Sequence, residues 1–193
     1  MTAWGQAKYD AAKPGLSGPK AQPLGNDPMM SCEPMGFPRI LLYQAVPTEF
    51  MQVSGRVIVF HDWFHTWRTI WTDGRELPKA PEPRWLGYSV GKWDGDTFTV
   101  ESNGFDERPW IDFLGHPQST EMRITERYKR IDHDTMQLNL VITDPKSYTK
   151  PWVSDTKTYT LDPNTEIGED FCVPSEEEAY KQLMREPAAT KPR

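Results

Sequence analysis

The sequence predicts a mainly β protein, folded as an antiparallel lipocalin-like barrel or a strongly curved sheet, with an extended N-terminal arm and a short C-terminal helix. Two observations lead to this fold class. Eighteen prolines and thirteen glycines in 193 residues leave only short ordered segments between them, which favours strands over helices. Most of those segments are rich in β-branched and aromatic residues and are joined by turn-forming residues, so we expect hairpins around an interior pocket.

The chain is long enough for one domain with a full core and extensions on either side. We assign residues 1–30 to the N-terminal arm, residues 31–174 to the β-barrel domain and residues 175–193 to the C-terminal helix and tail. Prolines and glycines limit the arm to one helical turn near residues 8–13. The arm is therefore either disordered or wrapped along the domain, where its aromatic side chains could dock it.

Charge and composition narrow the range of partners. The chain has 22 basic and 28 acidic residues, a net charge of −6, and no basic stripe, so nucleic acid is not an expected partner. It has no run of about 18 apolar residues, so no membrane span is expected. A phosphate-binding glycine loop, a dinucleotide fingerprint and a paired-cysteine metal motif are all absent from the sequence. A small-molecule ligand and a homo-oligomer remain as expected partners.

Short strands are expected at residues 40–44 and 49–53, followed by a long central strand at residues 56–71 with apolar residues on both faces at period two. The odd face of the central strand carries both of its histidines and three tryptophans, which are His61, His65, Trp63, Trp67 and Trp71. This mixture is typical of an aromatic-lined pocket with a few polar groups inside it. We therefore predict that Trp63 and Trp67 bind a ligand.

Three hairpins are expected after the central strand. They pair residues 86–93 with 97–103, 121–130 with 135–143, and 156–161 with 165–172. The first contains Asp94-Gly95, which predicts a type I′ turn because both central residues of that turn need positive φ. Residues 104–119 have no regular pattern and are expected to form a long connection.

A helix is expected near the C-terminus. Ser175 and Glu178 have the spacing of a capping box, in which each side chain bonds a backbone N–H of the first turn. The helical pattern continues to Arg185, and Pro187 is expected to end it.

The two cysteines, Cys32 and Cys172, stand near the two ends of the predicted domain. They could be two reduced thiols of a cytosolic protein or one disulfide. A disulfide would close a loop of about 140 residues, which the chain-entropy model equates with about 4–5 kcal/mol of stability.

His65 and His116 are the candidate catalytic residues, with Asp112 or Asp73 as the carboxylate partner. A carboxylate that orients an imidazole suits acid–base catalysis near neutral pH. The same set of His65, His116 and Asp112 also suits an open site for a divalent metal, with two histidines and one carboxylate as ligands. His61 and His65 alone could not share an ion on a straight strand, because four residues span about 13 Å.

Further residues are candidates for ligand binding. Arg68 and Arg75 could hold an anionic group through paired hydrogen bonds. Asp73, and Trp110 in the same connection as His116, are also candidates for ligand binding. Ser89 lies in a Gly-x-Ser-x-Gly string, but a second strand follows where a nucleophile elbow needs a helix. We therefore do not assign Ser89 as a nucleophile.

Several strings occur in an order that resembles a large family of exported proteins of soil bacteria, acidobacteria especially. The strings are residues 67–75, 87–97, 104–105, 110–112, 115–117, 126–128 and 144–152. The resemblance covers about residues 30–175 and implies a leader peptide in the full gene product, a periplasmic or extracellular location, and hence the Cys32–Cys172 disulfide.

The family pattern also bears on the site. It often has histidine where this chain has His65 and His116 and aspartate where it has Asp112, whereas His61 does not match it. This chain has Gln118 where a His-Pro-His-Ser string is common, which removes one metal ligand. The resemblance implies no particular activity.

Three functions follow as hypotheses. The first is an exported small β-barrel enzyme that acts on a small organic or sugar-derived molecule by histidine acid–base chemistry in an aromatic-lined pocket. The second is a non-catalytic periplasmic carrier barrel with the same residues around its ligand. The third is a structural surface protein whose arm and tail contact neighbouring subunits.

Overall fold

The computed structural model describes residues 1–15, 17–42 and 47–190. The strands are β1 Thr48–Val53, β2 Arg56–His61, β3 Thr66–Trp71, β4 Tyr88–Asp94, β5 Thr97–Asn103, β6 Arg123–Arg130, β7 Thr135–Thr143, β8 Trp152–Val153 and β9 Lys157–Thr160. The α-helices are α1 Ala3–Ala11, α2 Arg39–Leu42, α3 Pro174–Tyr180 and α4 Glu186–Thr190. Short 3₁₀ turns occupy Pro28–Ser31 and Trp63–His65, and a π-helical turn occupies Lys181–Arg185. Among the described residues, no helix has the length and apolar character needed to cross a bilayer.

All nine strands belong to one sheet, which confirms the mainly β prediction. The strands from β1 to β8 follow one another in sequence order, and β9 pairs with β7. Every pairing is antiparallel except that between β3 and β4, which is parallel. The closed barrel is wrong, because β8 and β9 both pair with β7 and, within residues 1–15, 17–42 and 47–190, no pairing joins β1 to the other end of the sheet.

The sheet nevertheless curves enough for distant strands to touch through their side chains. Arg68 of β3 forms two hydrogen bonds, of 2.9 and 2.6 Å, with Glu126 of β6. These strands are three positions apart, about 14 Å in a flat sheet. Phe50 of β1 contacts Tyr159 of β9 edge-on, with ring centroids 5.9 Å apart. Curvature therefore brings the two ends of the open sheet together around a common core.

Apolar side chains fill that core in the described part of the chain, where an interior pocket was expected. The segment that ends in α2 inserts Met35, Phe37 and Leu41 into the core, where each is at most 2% exposed. They pack with buried side chains of β2, β3, β5, β6 and β7 in one hydrophobic cluster. Residues 40–42 are helical rather than the start of a strand, and residues 43 and 44 of that prediction lie outside the described residues.

The predicted central strand is two strands joined by a tight turn. β2 ends at His61, and β3 begins at Thr66 and pairs antiparallel with it. In the turn, Phe64 and His65 have φ of 50° and 48°, a left-handed backbone that non-glycine residues rarely adopt. The turn reverses the parity of the side chains, so His61 points to the core while Trp67 lies on the outer face. The common face of histidines and tryptophans is therefore wrong.

The first two predicted hairpins are confirmed as β4–β5 and β6–β7. In the first, Asp94 pairs with Thr97, so Gly95 and Asp96 are the central residues. Of these only Gly95 has positive φ, as in type II′ rather than type I′. The third hairpin is wrong, because β9 pairs with β7 and residues 165–172 are not a strand.

The N-terminal arm is longer in helix than predicted and docks on the domain. Thr2 caps α1 and donates its backbone N–H to the Ser147 carbonyl at 3.0 Å. Gly5 allows the helix to approach closely, because a Cβ at this position would lie 2.2 Å from the Ser147 oxygen. The arm therefore wraps along the domain, which was one of the two expected alternatives.

The C-terminal helix is confirmed, but its start and end differ from prediction. Val173 is the N-cap without a side-chain hydrogen bond and Pro174 is the first helical residue, so the capping box does not form. Pro187 lies inside α4 and does not end the helix. The π-helical turn before it already changes the backbone hydrogen bonding, because the Glu186 N–H donates to the Lys181 carbonyl. The helix therefore tolerates the absence of a backbone N–H at Pro187.

Candidate functional site

Asp112 and His116 form a hydrogen-bonded pair in the long connection between β5 and β6. Asp112 Oδ2 lies 2.5 Å from His116 Nδ1. Asp112 Oδ1 accepts the backbone N–H groups of Leu114 at 2.9 Å and of His116 at 3.2 Å. Gly115, with φ of 91°, makes the turn that returns His116 to the carboxylate. Three hydrogen bonds thus fix the carboxylate that orients the imidazole.

This geometry also fixes the tautomer of His116. A carboxylate partner at Nδ1 assigns the proton to that atom, which leaves Nε2 as an acceptor. Nε2 has no hydrogen-bond partner among residues 1–15, 17–42 and 47–190. The side chains of His116 and Asp112 are 21% and 13% exposed, so the pair is shielded but reachable from solvent.

Aromatic rings enclose His116. The Tyr9 ring of α1 stacks on the imidazole, with centroids 4.8 Å apart and an interplanar angle of 23°. Trp152 of β8 contacts it edge-on at 5.2 Å. Tyr148 packs against Trp152 and donates its hydroxyl to the Pro117 carbonyl at 2.5 Å. Sequence reasoning missed Tyr9 and Trp152 as site residues, because only the docked arm and the curvature of the sheet bring them to His116.

His65 has a different environment. Its Nδ1 lies 3.1 Å from the backbone oxygen of Asp170, and its ring stacks on Phe171 at 4.2 Å. In the described part of the chain, no three histidine, cysteine or acidic residues are arranged to hold a metal ion. The proposed metal set of His65, His116 and Asp112 is therefore not assembled, because the left-handed turn directs His65 to the segment before α3.

That segment, residues 168–172, crosses the turn before β3, and we name it the strap. The strap carboxylate of Asp170 accepts the Phe64 N–H at 3.2 Å. The strap ends at Cys172, which forms a disulfide with Cys32 and so confirms the predicted bond. A cleft of about 240 Å³ lies beside the strap and includes Met29, Phe64 and Arg185 in its lining.

Arg68 is not available to a ligand. Its guanidinium is paired with Glu126, and the two side chains are 3% and 0% exposed. The Tyr128 hydroxyl donates a hydrogen bond to Glu126 Oε2 at 2.6 Å. Burial is the main cause that raises the pKa of Tyr128, and the negative charge of Glu126 is the second. Curvature of the sheet thus places Arg68, predicted to bind a ligand, in the core, where its guanidinium already has a partner.

The other predicted ligand-binding residues do not converge. Asp73 and Arg75 pair with each other at 2.6 Å near the surface. Trp67 is 61% exposed on the outer face of β3, whereas Trp110 is 8% exposed and lies under Arg39. The half-buried ring of Trp63 contacts Phe64 and Phe113. Trp110 and Trp63 therefore each pack against other side chains of the protein, in separate places.

His61 is the buried histidine that the sequence did not single out. It is 2% exposed, and its Nε2 has no hydrogen-bond partner in the described part of the chain. Its Nδ1 lies 3.3 Å from the Thr48 hydroxyl. Burial, together with the nearby charge of Arg68, lowers the pKa of His61 to about 3. His61 follows Val57 and Val59 at every second position of the strand, and this alternation is the signal that could have marked it as a core residue.

The lowered pKa predicts acid sensitivity. The unfolded chain binds a proton at His61 below about pH 6.5, whereas the folded chain does not until about pH 3. Stability from this residue is therefore complete above pH 6.5 and decreases as the pH falls, by about 2 kcal/mol at pH 5. Urea unfolding at pH 7 and pH 5 measures it. The change in the free energy of unfolding between pH 7 and pH 5 should be smaller in the His61→Asn variant than in the wild type. It should be unchanged in the control variant of an exposed histidine, His133→Asn. An equal change in all three proteins would contradict the prediction.

Comparisons of the chain with protein-family models, curated proteins and solved structures found no match.

Proposed function

We propose that this protein is an exported enzyme that acts on a small organic or sugar-derived molecule, with His116 as the acid–base residue and Asp112 as its positioning residue. The observation that carries the proposal is the 2.5 Å contact between Asp112 Oδ2 and His116 Nδ1. It leaves Nε2 directed away from the pair and free to accept a proton. The proposal assigns no chemical role to His65, whose Nδ1 lies against a backbone carbonyl.

The chemistry moves one proton through Nε2 in two transfers. His116 would take a proton from a hydroxyl group or a water molecule in contact with Nε2 and return it to the leaving group. Asp112 would stabilise the imidazolium formed in between, because its carboxylate accepts the Nδ1 proton throughout. The backbone N–H groups of Leu114 and His116 hold the carboxylate in place, so the pair needs no rearrangement during the reaction.

The surroundings of His116 favour a flat or ring-shaped substrate. Tyr9 and Trp152 place two aromatic rings within 4.8 and 5.2 Å of the imidazole centroid. Aromatic faces pack against sugar rings and planar organic groups. The Cys32–Cys172 disulfide is compatible with a periplasmic or extracellular location, because such bonds persist in oxidising compartments.

The test compares two histidines with the same local geometry. His133 also has a carboxylate 2.5 Å from Nδ1, that of Asp134, but its side chain is 82% exposed on a hairpin turn. We expect a panel of p-nitrophenyl esters and glycosides to be turned over by the wild type and by His133→Gln. His116→Gln should reduce turnover by about 10²- to 10⁴-fold. Equal turnover in both variants would contradict the proposal.

Asp112→Asn separates positioning from folding. The amide oxygen can still accept the Leu114 and His116 N–H groups, so the turn should persist. The amide nitrogen would donate to Nδ1 and move the imidazole proton to Nε2, which removes the acceptor that the reaction needs. We expect an unchanged unfolding midpoint and strongly reduced turnover. Turnover equal to that of the wild type would show that Asp112 acts only in the turn.

A second candidate is a binding protein without chemistry, and the stacking of Tyr9 on His116 favours it. In that case the same rings would hold a planar ligand that leaves unchanged. Incubation of a bound ligand with the protein, followed by mass spectrometry of the released molecule, separates the two. An altered mass supports the enzyme, and an unaltered mass supports the carrier.

A further inference from the structure

A cleft of about 380 Å³ lies at the end of β5 and the start of β6, which we name the β5–β6 cleft. Three of the residues that line it, Asn103, Gly104 and Met122, are buried. Three others, Lys79, Glu121 and Arg123, are charged and exposed. None of these residues belongs to the Asp112–His116 pair or contacts it through any described hydrogen bond or ion pair.

One wall of the cleft, residues 120–122, is held by a buried carboxylate. Asp144 accepts both the N–H and the hydroxyl of Ser119, each at 2.7 Å. The Ser119 hydroxyl oxygen accepts the Glu121 N–H at 3.1 Å, and the Ser119 carbonyl accepts the Met122 N–H at 3.1 Å. This wall is therefore fixed before any ligand binds, which lowers the entropy lost on binding.

The opposite wall is the proline-rich loop of residues 77–83. The Asn103 amide donates to the Pro78 carbonyl at 2.9 Å. The Arg84 N–H donates to the Gly104 carbonyl at 2.9 Å. Gly104 has φ of 70°, and a Cβ there would lie 2.7 Å from Pro81, so glycine lets the loop approach the strand. Two hydrogen bonds thus join the loop of residues 77–83 and its neighbour Arg84 to the end of β5.

Asn103 has an acceptor without a donor. It is 4% exposed, and its Oδ1 has no hydrogen-bond partner among the described residues. A flipped amide is excluded because the Pro78 carbonyl requires the N–H₂ group on its side. The β5–β6 register pairs Ser102 with Ile124, and one more step places Asn103 opposite Arg123. The orphan acceptor and the guanidinium therefore share one face of the sheet.

The three charged side chains of the cleft are also unpaired. Lys79, Glu121 and Arg123 form no ion pair or side-chain hydrogen bond with residues 1–15, 17–42 or 47–190. Other arginines of the chain, such as Arg39, Arg75 and Arg108, pair with nearby carboxylates. The cleft thus offers two cationic groups, one carboxylate and one amide oxygen in one place.

We propose that the β5–β6 cleft binds an apolar α-amino acid in its zwitterionic form. Arg123 and Lys79 bind the α-carboxylate, for which a guanidinium offers paired donors. Glu121 and Asn103 Oδ1 accept from the α-ammonium group, which has three donors and no acceptor. Met122, Pro81 and Pro145 contact the apolar side chain. The ligand pairs with all three charged groups of the cleft and with Asn103 Oδ1, which a simple anion or a simple cation does not.

The test is isothermal titration of the whole protein with each of the twenty standard L-amino acids, and we expect L-leucine to bind. Two matched probes lack one charge each: 4-methylpentanoate has no ammonium group and isopentylamine has no carboxylate. Each should bind about 10-fold to 100-fold more weakly than leucine, because each leaves charged groups of the cleft unpaired. Equal binding of either probe would overturn the proposal, and so would the absence of binding by all amino acids.

Variants locate the site. Arg123→Gln should weaken leucine binding by about 10-fold to 100-fold. Arg127→Gln is the matched control, because Arg127 lies exposed on the same face of β6, four residues further along. Equal affinities in these two variants would overturn the proposal. His116→Gln should leave leucine binding unchanged, so the amino-acid site and the proposed catalytic site are tested independently.

Discussion

Glu126→Gln should lower the free energy of unfolding by about 3–5 kcal/mol, because it leaves the charge of Arg68 buried without a partner. Arg68 and Glu126 are joined by two hydrogen bonds, of 2.9 and 2.6 Å, at the centre of the concave face. Tyr128 adds a third bond to the same carboxylate. For a domain of this size the loss corresponds to a decrease in melting temperature of roughly 6–20 °C. Urea and thermal unfolding at pH 7 measure it.

The double variant Arg68→Met/Glu126→Leu separates the charge from the packing. It removes both charges and fills the same space with apolar groups, so it should regain part of the lost stability, less the cost of leaving the buried Tyr128 hydroxyl without its acceptor. The exposed pair Asp73–Arg75 provides the matched control. Asp73→Asn should leave the unfolding midpoint unchanged, because solvent screens that pair. If Glu126→Gln were as stable as Asp73→Asn, the pair would not be buried as the structure has it.

The double variant Cys32→Ser/Cys172→Ser should lower the free energy of unfolding by about 2–5 kcal/mol. The bond closes a loop of 140 residues, and removing it restores conformational freedom to the unfolded chain. Thermal unfolding of the variant, and of the wild type with and without a reductant, measures the effect. Reduced wild type and the double variant should melt at the same temperature, below that of the oxidised protein. Identical melting of all samples would contradict the prediction.

The same variant should also change one region before the rest of the protein. The strap holds the left-handed turn at Phe64 and His65 through Asp170, and Phe171 stacks on His65. A left-handed backbone costs roughly 1–2 kcal/mol per non-glycine residue. Without the disulfide we expect faster hydrogen exchange at residues 62–65 and faster trypsin cleavage after Lys181 and Arg185. The β6–β7 hairpin, which shares no described hydrogen bond, ion pair or ring contact with the strap, serves as the internal reference.

Local patterns predicted the parts of the fold that depend only on neighbours in the chain. Alternating apolar residues and turn residues identified the bounds of β1, β4–β5 and β6–β7 to within two residues. The glycine at the first hairpin was decisive because the turn needs positive φ there. The C-terminal helix was predicted because its residue pattern is also local. Its capping box does not form, because Pro174 occupies the first helical position and the N-cap is Val173, two residues before Ser175.

The break in the central strand shows where local patterns fail. Phe64 has a side chain that favours strands. His65 is of a type enriched at positive φ, but that weak tendency does not by itself indicate a left-handed backbone. Their conformation is held by the distant strap, through Asp170 and Phe171. One turn of this kind inverts the faces of all the residues that follow it. Arg68 therefore lies in the core and Trp67 on the outer face, so the strand does not bring the predicted ligand-binding residues to one face.

The sequence by itself determined the class of the protein, most of its hairpins, the Asp112–His116 spacing and the two cysteines that could form a disulfide. Tertiary structure alone decided that the sheet stays open, that its concave face is filled, and that Tyr9 and Trp152 meet His116. The physical reason is the range of the interactions. Periodicity and turn chemistry act over a few residues, whereas curvature, burial and the pairing of Arg68 with Glu126, 58 residues apart, depend on which segments pack together.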